Sequence, residues 1–78
     1  MARQNNIRSE RVRIDCTQAE LGEKLGVSVD TVRNWEDGVT QIRINQLIDM
    51  ANLFSCSIDY LLGRTDDRIL HGYKALAQ

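Results

Sequence analysis

A chain of 78 residues has room for one domain and buries only roughly 60% of the surface that its unfolded form exposes. Ten Lys and Arg nearly balance eleven Asp and Glu, no apolar run approaches the ~20 residues of a membrane span, and the amino terminus lacks the apolar stretch of a secretory signal. Cys16, Cys56 and the lone His71 do not reach the four ligands of a structural zinc site, so the chain is expected to be soluble and cytoplasmic. It is also expected to use no metal or other cofactor, with both cysteines as small buried thiols in a reducing compartment.

The chain has no proline, no internal repeat and no low-complexity segment, and its many Leu, Ile, Val, Gln, Glu and Arg favour helices. Residues 5–14 read as the first helix, with Ile7, Arg11 and Ile14 on one face. Asp15 stands where the chain reverses, and Asp tolerates the left-handed conformation better than most residues. Thr17 and Glu20 have the spacing of a capping box, in which each side chain satisfies the other's backbone amide. They open a second helix that turns Leu21 and Leu25 inward and stops at Gly26. Ser28 is a good N-cap for a third helix, and Asp30 suits the positive end of its dipole. Val32 and Trp35 point inward there, Val29, Asp30, Arg33 and Asn34 point outward, and Gly38 closes it. Helices two and three are thus joined by about three residues containing a glycine, the connection of a helix-turn-helix.

After a polar loop at residues 39–43, Ile44, Leu47, Ile48, Ala51 and Phe54 form one apolar stripe of a fourth helix over 44–54. Ser57 caps a short fifth helix over 58–62 that ends at Gly63. A helix-turn-helix domain is therefore expected over 1–64. The tail over 65–78 is polar, then weakly amphipathic through Ile69, Tyr73 and Leu76.

The motif made by Thr17, Gln18, Glu20, Leu21, Gly22, Lys24, Leu25, Gly26, Val27, Ser28, Thr31, Val32, Trp35, Glu36 and Gly38 resembles the helix-turn-helix core of the xenobiotic-response-element (XRE) family, which includes the Cro-type phage repressors. Residues 57–63 resemble that family's closing helix, and the likeness covers roughly 5–64. It implies an all-α, compact five-helix, lambda-repressor-like DNA-binding domain. It also implies a close crossing of helices two and three at Gly22, and a partly buried salt bridge between Arg11 and Glu36.

In such proteins the third helix lies in the major groove with its first residues at base edges. The resemblance thus implies that Gln18 holds a phosphate beside the second helix N-terminus. It implies that Val29, Asp30 and Asn34 read bases, with Arg33 on the same face and Ser28, Thr31 and Thr40 among the DNA contacts. Asn34 suits adenine, Arg33 guanine or a phosphate, Val29 a thymine methyl and Asp30 a cytosine amino group.

The charge distribution tempers this expectation. Residues 1–14 carry Arg3, Arg8, Arg11 and Arg13 against Glu10, whereas 15–37 carry six acids against Lys24 and Arg33. Asp30 and Asp37 lie on or near the presumed DNA face. The loop after Gly38 has Ile42 where the family often has proline, and retains one charge, Arg43. The function expected is a sequence-specific transcriptional regulator, a repressor that binds a near-palindromic stretch of double-stranded DNA as a homodimer. The fifth helix (Ile58, Leu61, Leu62) and the tail stripe are the dimer surfaces in view. The alternative is a module that binds a protein partner through its acidic third helix. An enzyme is not expected, because no acid, base and nucleophile converge and Ser28 and Ser57 read as caps.

Overall fold

The computed structural model describes residues 5–68 of the chain. They form five helices: α1 (Ile7–Arg13), α2 (Gln18–Leu25), α3 (Val29–Asp37), α4 (Ile44–Phe54) and α5 (Ile58–Leu61). The all-helical order expected from the sequence holds. α1 is shorter than expected because Asn5 and Asn6 act as anchors instead. Asn5 Oδ1 accepts from the Ile7 amide at 3.1 Å, while its Nδ2 donates to the Trp35 carbonyl at 2.8 Å. The Asn6 side chain donates to the Tyr60 carbonyl at 2.6 Å, and its backbone amide to that of Leu61 at 3.0 Å. The start of α1 is thereby tied to both α3 and α5.

The chain reverses at the expected places. Asp15 takes φ 61° between α1 and α2. The Thr17–Glu20 capping box is complete: the Thr17 hydroxyl accepts from the Glu20 amide at 3.1 Å, and the Glu20 carboxylate accepts from the Thr17 amide at 2.8 Å. Gly26 ends α2 at φ 73°, and the Ser28 hydroxyl caps α3 by accepting from the Thr31 amide at 3.1 Å. Ser57 caps α5 through the Tyr60 amide at 3.0 Å. α4 ends without a glycine, at Ser55 in the left-handed region with φ 55°.

Ile7, Cys16, Leu21, Val32, Trp35, Leu47, Met50, Ala51, Phe54 and Leu61 form the core, with Ile14, Leu25, Val27, Ile42, Ile58 and Leu62 packed around it. One part of the expected α4 stripe is wrong. Ile44 and Ile48 are 63% and 43% exposed, while Met50 is fully buried. The buried face of α4 is centred on Leu47, Met50, Ala51 and Phe54. At about 100° per residue, Ile44 and Ile48 lie roughly 70° and 110° round the helix from that centre, too far to reach the core. α5 likewise turns Leu61 wholly into the core, with Ile58 and Leu62 packed against it, which removes its main apolar residue from any dimer surface. The other surface in view, the tail stripe Ile69, Tyr73 and Leu76, lies outside the described residues, as does His71.

Gly22 is buried in α2. A Cβ there would come within 2.7 Å of the Val27 carbonyl oxygen and 3.4 Å of Ser28 backbone atoms. The close approach expected at this glycine is thus made to the turn leading into α3 rather than to the body of that helix. The contact is backbone on backbone, and the Val27 amide donates to the Gly22 carbonyl at 2.9 Å, so nothing flexible can yield.

Glu10 was expected only as one charge among many, yet it is 3% exposed. Arg13 donates to it at 2.9 Å, and Arg68, from the segment after α5, at 2.5 Å. Both arginines also donate to the Phe54 carbonyl, at 2.8 and 2.9 Å, satisfying the end of α4. The Ser57 amide donates to the Arg68 carbonyl at 2.8 Å. The last described residues therefore close over α1 and the α4–α5 junction. Burial by itself would push the Glu10 carboxyl up, but the hydrogen bonds and charges of Arg68 and Arg13 outweigh it and hold the group below the ordinary glutamate value.

Two outcomes follow from these contacts. Gly22→Ala gains about 1 kcal/mol of helix propensity but overpacks rigid backbone, so urea unfolding should show a net loss of about 1–2 kcal/mol; a gain would refute the close approach. A carboxyl depressed in the folded state stabilises it above the unfolded-state value, and the stabilisation is lost as pH falls through the folded one. Wild-type stability should therefore fall between about pH 5 and pH 3. Glu10→Gln should be less stable at pH 7 by about 2 kcal/mol and show a flatter acid limb. Parallel pH profiles for the two proteins would contradict the assignment.

Candidate nucleic-acid interface

The outward face of α3 carries the residues expected to read DNA. Val29, Asp30, Arg33 and Asn34 are all exposed, while Val32 and Trp35 on the opposite side are buried. The helix forms where it does because Ser28 caps its start and Gly38, at φ 74°, stops it. Ser28 and Thr31, at the leading end, share a hydrogen bond of 3.0 Å between their hydroxyls. Thr40 is exposed in the loop beyond Gly38. α3 therefore carries five of the eight expected contact residues, with Ser28 as its N-cap, Thr40 beyond its end and Gln18 on α2.

Three of these side chains, Asp30, Arg33 and Gln18, have partners that the sequence did not suggest. Asp30 Oδ1 accepts from Arg33 Nη1 at 2.5 Å on the exposed face of the helix. Gln18 Nε2 donates to Glu36 Oε1 at 3.0 Å. The expected Arg11–Glu36 bridge is present: Arg11 Nε donates to Glu36 Oε2 at 2.6 Å and Nη2 to Oε1 at 3.3 Å, with the two side chains 11% and 4% exposed. Arg11 Nη1 also donates to the Cys16 carbonyl at 2.9 Å. A single buried carboxylate on α3 thus holds α1 and the first residue of α2, and its partner Arg11 closes the turn between them.

An open groove of about 570 Å³ runs beside this cluster, lined by Arg8, Arg11, Val12, Asp15, Cys16, Thr17, Gln18, Arg33 and Asp37. It lies at the N-terminus of α2, whose first amides have no partner within the helix. Arg8 was not expected here by role, although its position one turn before Arg11 on α1 was the available signal. The charge in the groove is mixed, since Asp15 and Asp37 line it with the arginines.

Two of the three arginines of α1 are committed within the fold. Arg11 is bound to Glu36 and Arg13 to Glu10, because both carboxylates are buried and need partners. Among the described residues, Arg8 and Arg43 are the arginines without a carboxylate partner. Of the two thiols expected to be buried, Cys16 is buried and Cys56 only half-buried; desolvation pushes Cys16 up, and pushes Cys56 up to about 11. Among the described residues no helix is long and apolar enough to cross a membrane.

Comparison with known proteins gives a consistent result. Residues 7–61 match the family model described as Helix-turn-helix. The chain is 33% identical over 51 residues to the uncharacterized HTH-type transcriptional regulator YobD of Bacillus subtilis (strain 168), covering 65% of this chain and 46% of that protein. It is 36% identical over 56 residues to repressor protein C2 of Salmonella phage P22, covering 72% of this chain and 26% of that one. This chain thus matches less than half the length of either relative. Among solved structures, the crystal structure of the P22 c2 repressor protein in complex with synthetic operator 9T in the presence of Tl+ superposes with a TM-score of 0.68 at 35% identity, covering 73% of this chain and 86% of that one. The complete capping box, the left-handed Gly26 and the match across α1 to α5 agree, and the chain belongs to the XRE-type helix-turn-helix family.

Proposed function

We propose that this chain is a sequence-specific, double-stranded-DNA-binding transcriptional repressor module that acts as a homodimer in the cytoplasm on a near-palindromic operator. The observation that carries this reading is the outward face of α3. The Asn34 side chain, with no hydrogen bond to the described residues, stands beside Arg33 and Val29 on a helix whose other side is locked into the core. An exposed Asn can contact adenine in two-point fashion, and an apolar Val29 suits a thymine methyl. The relative solved with an operator shares this fold at 35% identity over 73% of the chain, which supports the same use here.

In this reading α3 enters the major groove and the α2 N-terminus meets a phosphate. There the unpaired amides at the start of α2, with Arg8 across the groove, hold the backbone. Gln18 contributes by position, since its amide is already held by Glu36; Ser28, Thr31 and Thr40 supply hydroxyls at the two ends of α3. Few unpaired cations face the DNA, so the salt dependence is that of a small number of phosphate contacts per subunit. Two subunits on successive major grooves would stand about 34 Å apart. With Leu61 in the core, the exposed Ile44 and Ile48 are the apolar surface that α4 leaves for dimer contact. Raised thiols and an outward-facing polar helix suit binding rather than catalysis, so the chain is read as a binder and not an enzyme.

Selection of bound duplexes from a random pool at low salt, followed by a salt titration on the winner, tests this. A two-fold motif should emerge. Asn34→Ala should then relax one base position per half-site by about 1–3 kcal/mol without unfolding the chain. Weak, uniform binding with no motif would reject the repressor reading and favour a protein partner on α3.

A further inference from the structure

We infer that Asp30 is a positioning residue for Arg33, and that the pair reads a guanine. Resting on the DNA-binding reading above, this changes the part that the resemblance gave Asp30, namely accepting from a cytosine amino group. The two residues are one turn apart on α3. Asp30 Oδ1 is 2.5 Å from Arg33 Nη1, and both side chains are more than half exposed, 53% for Arg33 and 77% for Asp30.

The geometry decides which edge of the guanidinium is left. Arg has five N–H donors in a rigid planar fork. With Nη1 turned to Asp30, the Nε and Nη2 edge makes no hydrogen bond to the described chain. Two parallel donors on one edge are what O6 and N7 of guanine accept in the major groove. Free arginine side chains lose rotamer freedom on docking, and a carboxylate that already holds one end of the fork lowers that cost. The same pairing answers the charge objection at this position, because the acid nearest the bases is neutralised by its own helix neighbour.

An exposed pair of this kind adds little to folding stability, so it can be dismantled without losing the fold. This separates a role in recognition from a role in structure. It also distinguishes Arg33 from Arg11 and Arg13, whose partners are buried carboxylates.

The test is a base-substitution panel on the selected duplex, measured for wild type, Arg33→Ala, Asp30→Ala, Asp30→Asn and the Asp30→Ala/Arg33→Ala double variant, with thermal unfolding as a control. Arg33→Ala should reduce discrimination for one G·C pair by about 5- to 150-fold, the size of a good two-point contact. Both Asp30 variants should flatten preference at that same pair, and the double variant should be no flatter than Arg33→Ala alone. Unfolding midpoints should stay close to wild type. Three results would overturn the inference: Asp30 variants that relax a different, cytosine-bearing position; Asp30 variants that tighten binding uniformly with every preference intact; or Arg33→Ala that weakens all sequences equally, as a phosphate contact would. A wild-type chain with no preferred sequence would instead reject the underlying DNA reading, and this pair with it.

Discussion

The placement of α3 depends on a buried carboxylate. Glu36, near the end of that helix, accepts two hydrogen bonds from Arg11 and one from Gln18, and its side chain is 4% exposed. Taking a carboxylate and a guanidinium out of water costs several kcal/mol per ion, so such a pair persists only where geometry and further hydrogen bonds compensate. Here they do, since Arg11 Nη1 also donates to the Cys16 carbonyl. The result is a fixed angle between three elements. α1 is held to α3, the reversal after α1 is closed, and the first residue of α2 is drawn against the helix that follows it. Apolar packing is non-directional, so these charge-assisted bonds fix the register of the helices more sharply than the core alone.

A second buried acid closes the other side of the molecule. Glu10 binds Arg13 and Arg68, and those arginines also satisfy the last carbonyl of α4. The two carboxylates divide the arginines of α1 between them and leave Arg8 to solvent. The formal charge of −1 thus goes with arginines turned inward to buried carboxylates rather than gathered on one face. Among the described residues Arg11, Arg13 and Arg68 brace the scaffold through buried carboxylates, so in the DNA-binding reading proposed above recognition falls to short-range hydrogen bonds from α3. Association is then expected to gain little from electrostatic steering.

Much of this was legible in the residues. The capping box at Thr17 and Glu20, the caps at Ser28 and Ser57 and the stops at Gly26, Gly38 and Gly63 are local signals, and each fell where expected because it depends on neighbours within four positions. The exposure of the α3 face followed from the inward spacing of Val32 and Trp35, and the Arg11–Glu36 pair from the family motif. What escaped were features set by distant contacts. Nothing near Glu10 marks it as buried, since one of its partners, Arg68, lies 58 residues away. The exposure of Ile44 and Ile48 depends on where α4 meets the core, which periodicity leaves ambiguous by a third of a turn. The commitment of Gln18 to Glu36 is likewise tertiary. At the candidate site, the residue types on α3 were correctly grouped, but the Asp30–Arg33 contact depends on rotamers that spacing alone leaves open.

The measurement that bears most directly on this account is a double-mutant cycle at the Arg11–Glu36 bridge, using Arg11→Met and Glu36→Gln with urea unfolding. If the pair is the buried brace described, each single change should cost about 3–5 kcal/mol. The double variant should lose less than the sum, with a coupling of at least about 1 kcal/mol. Small, additive losses of about 0.5 kcal/mol each, as for a solvated surface pair, would contradict the claim that this carboxylate sets the position of α3.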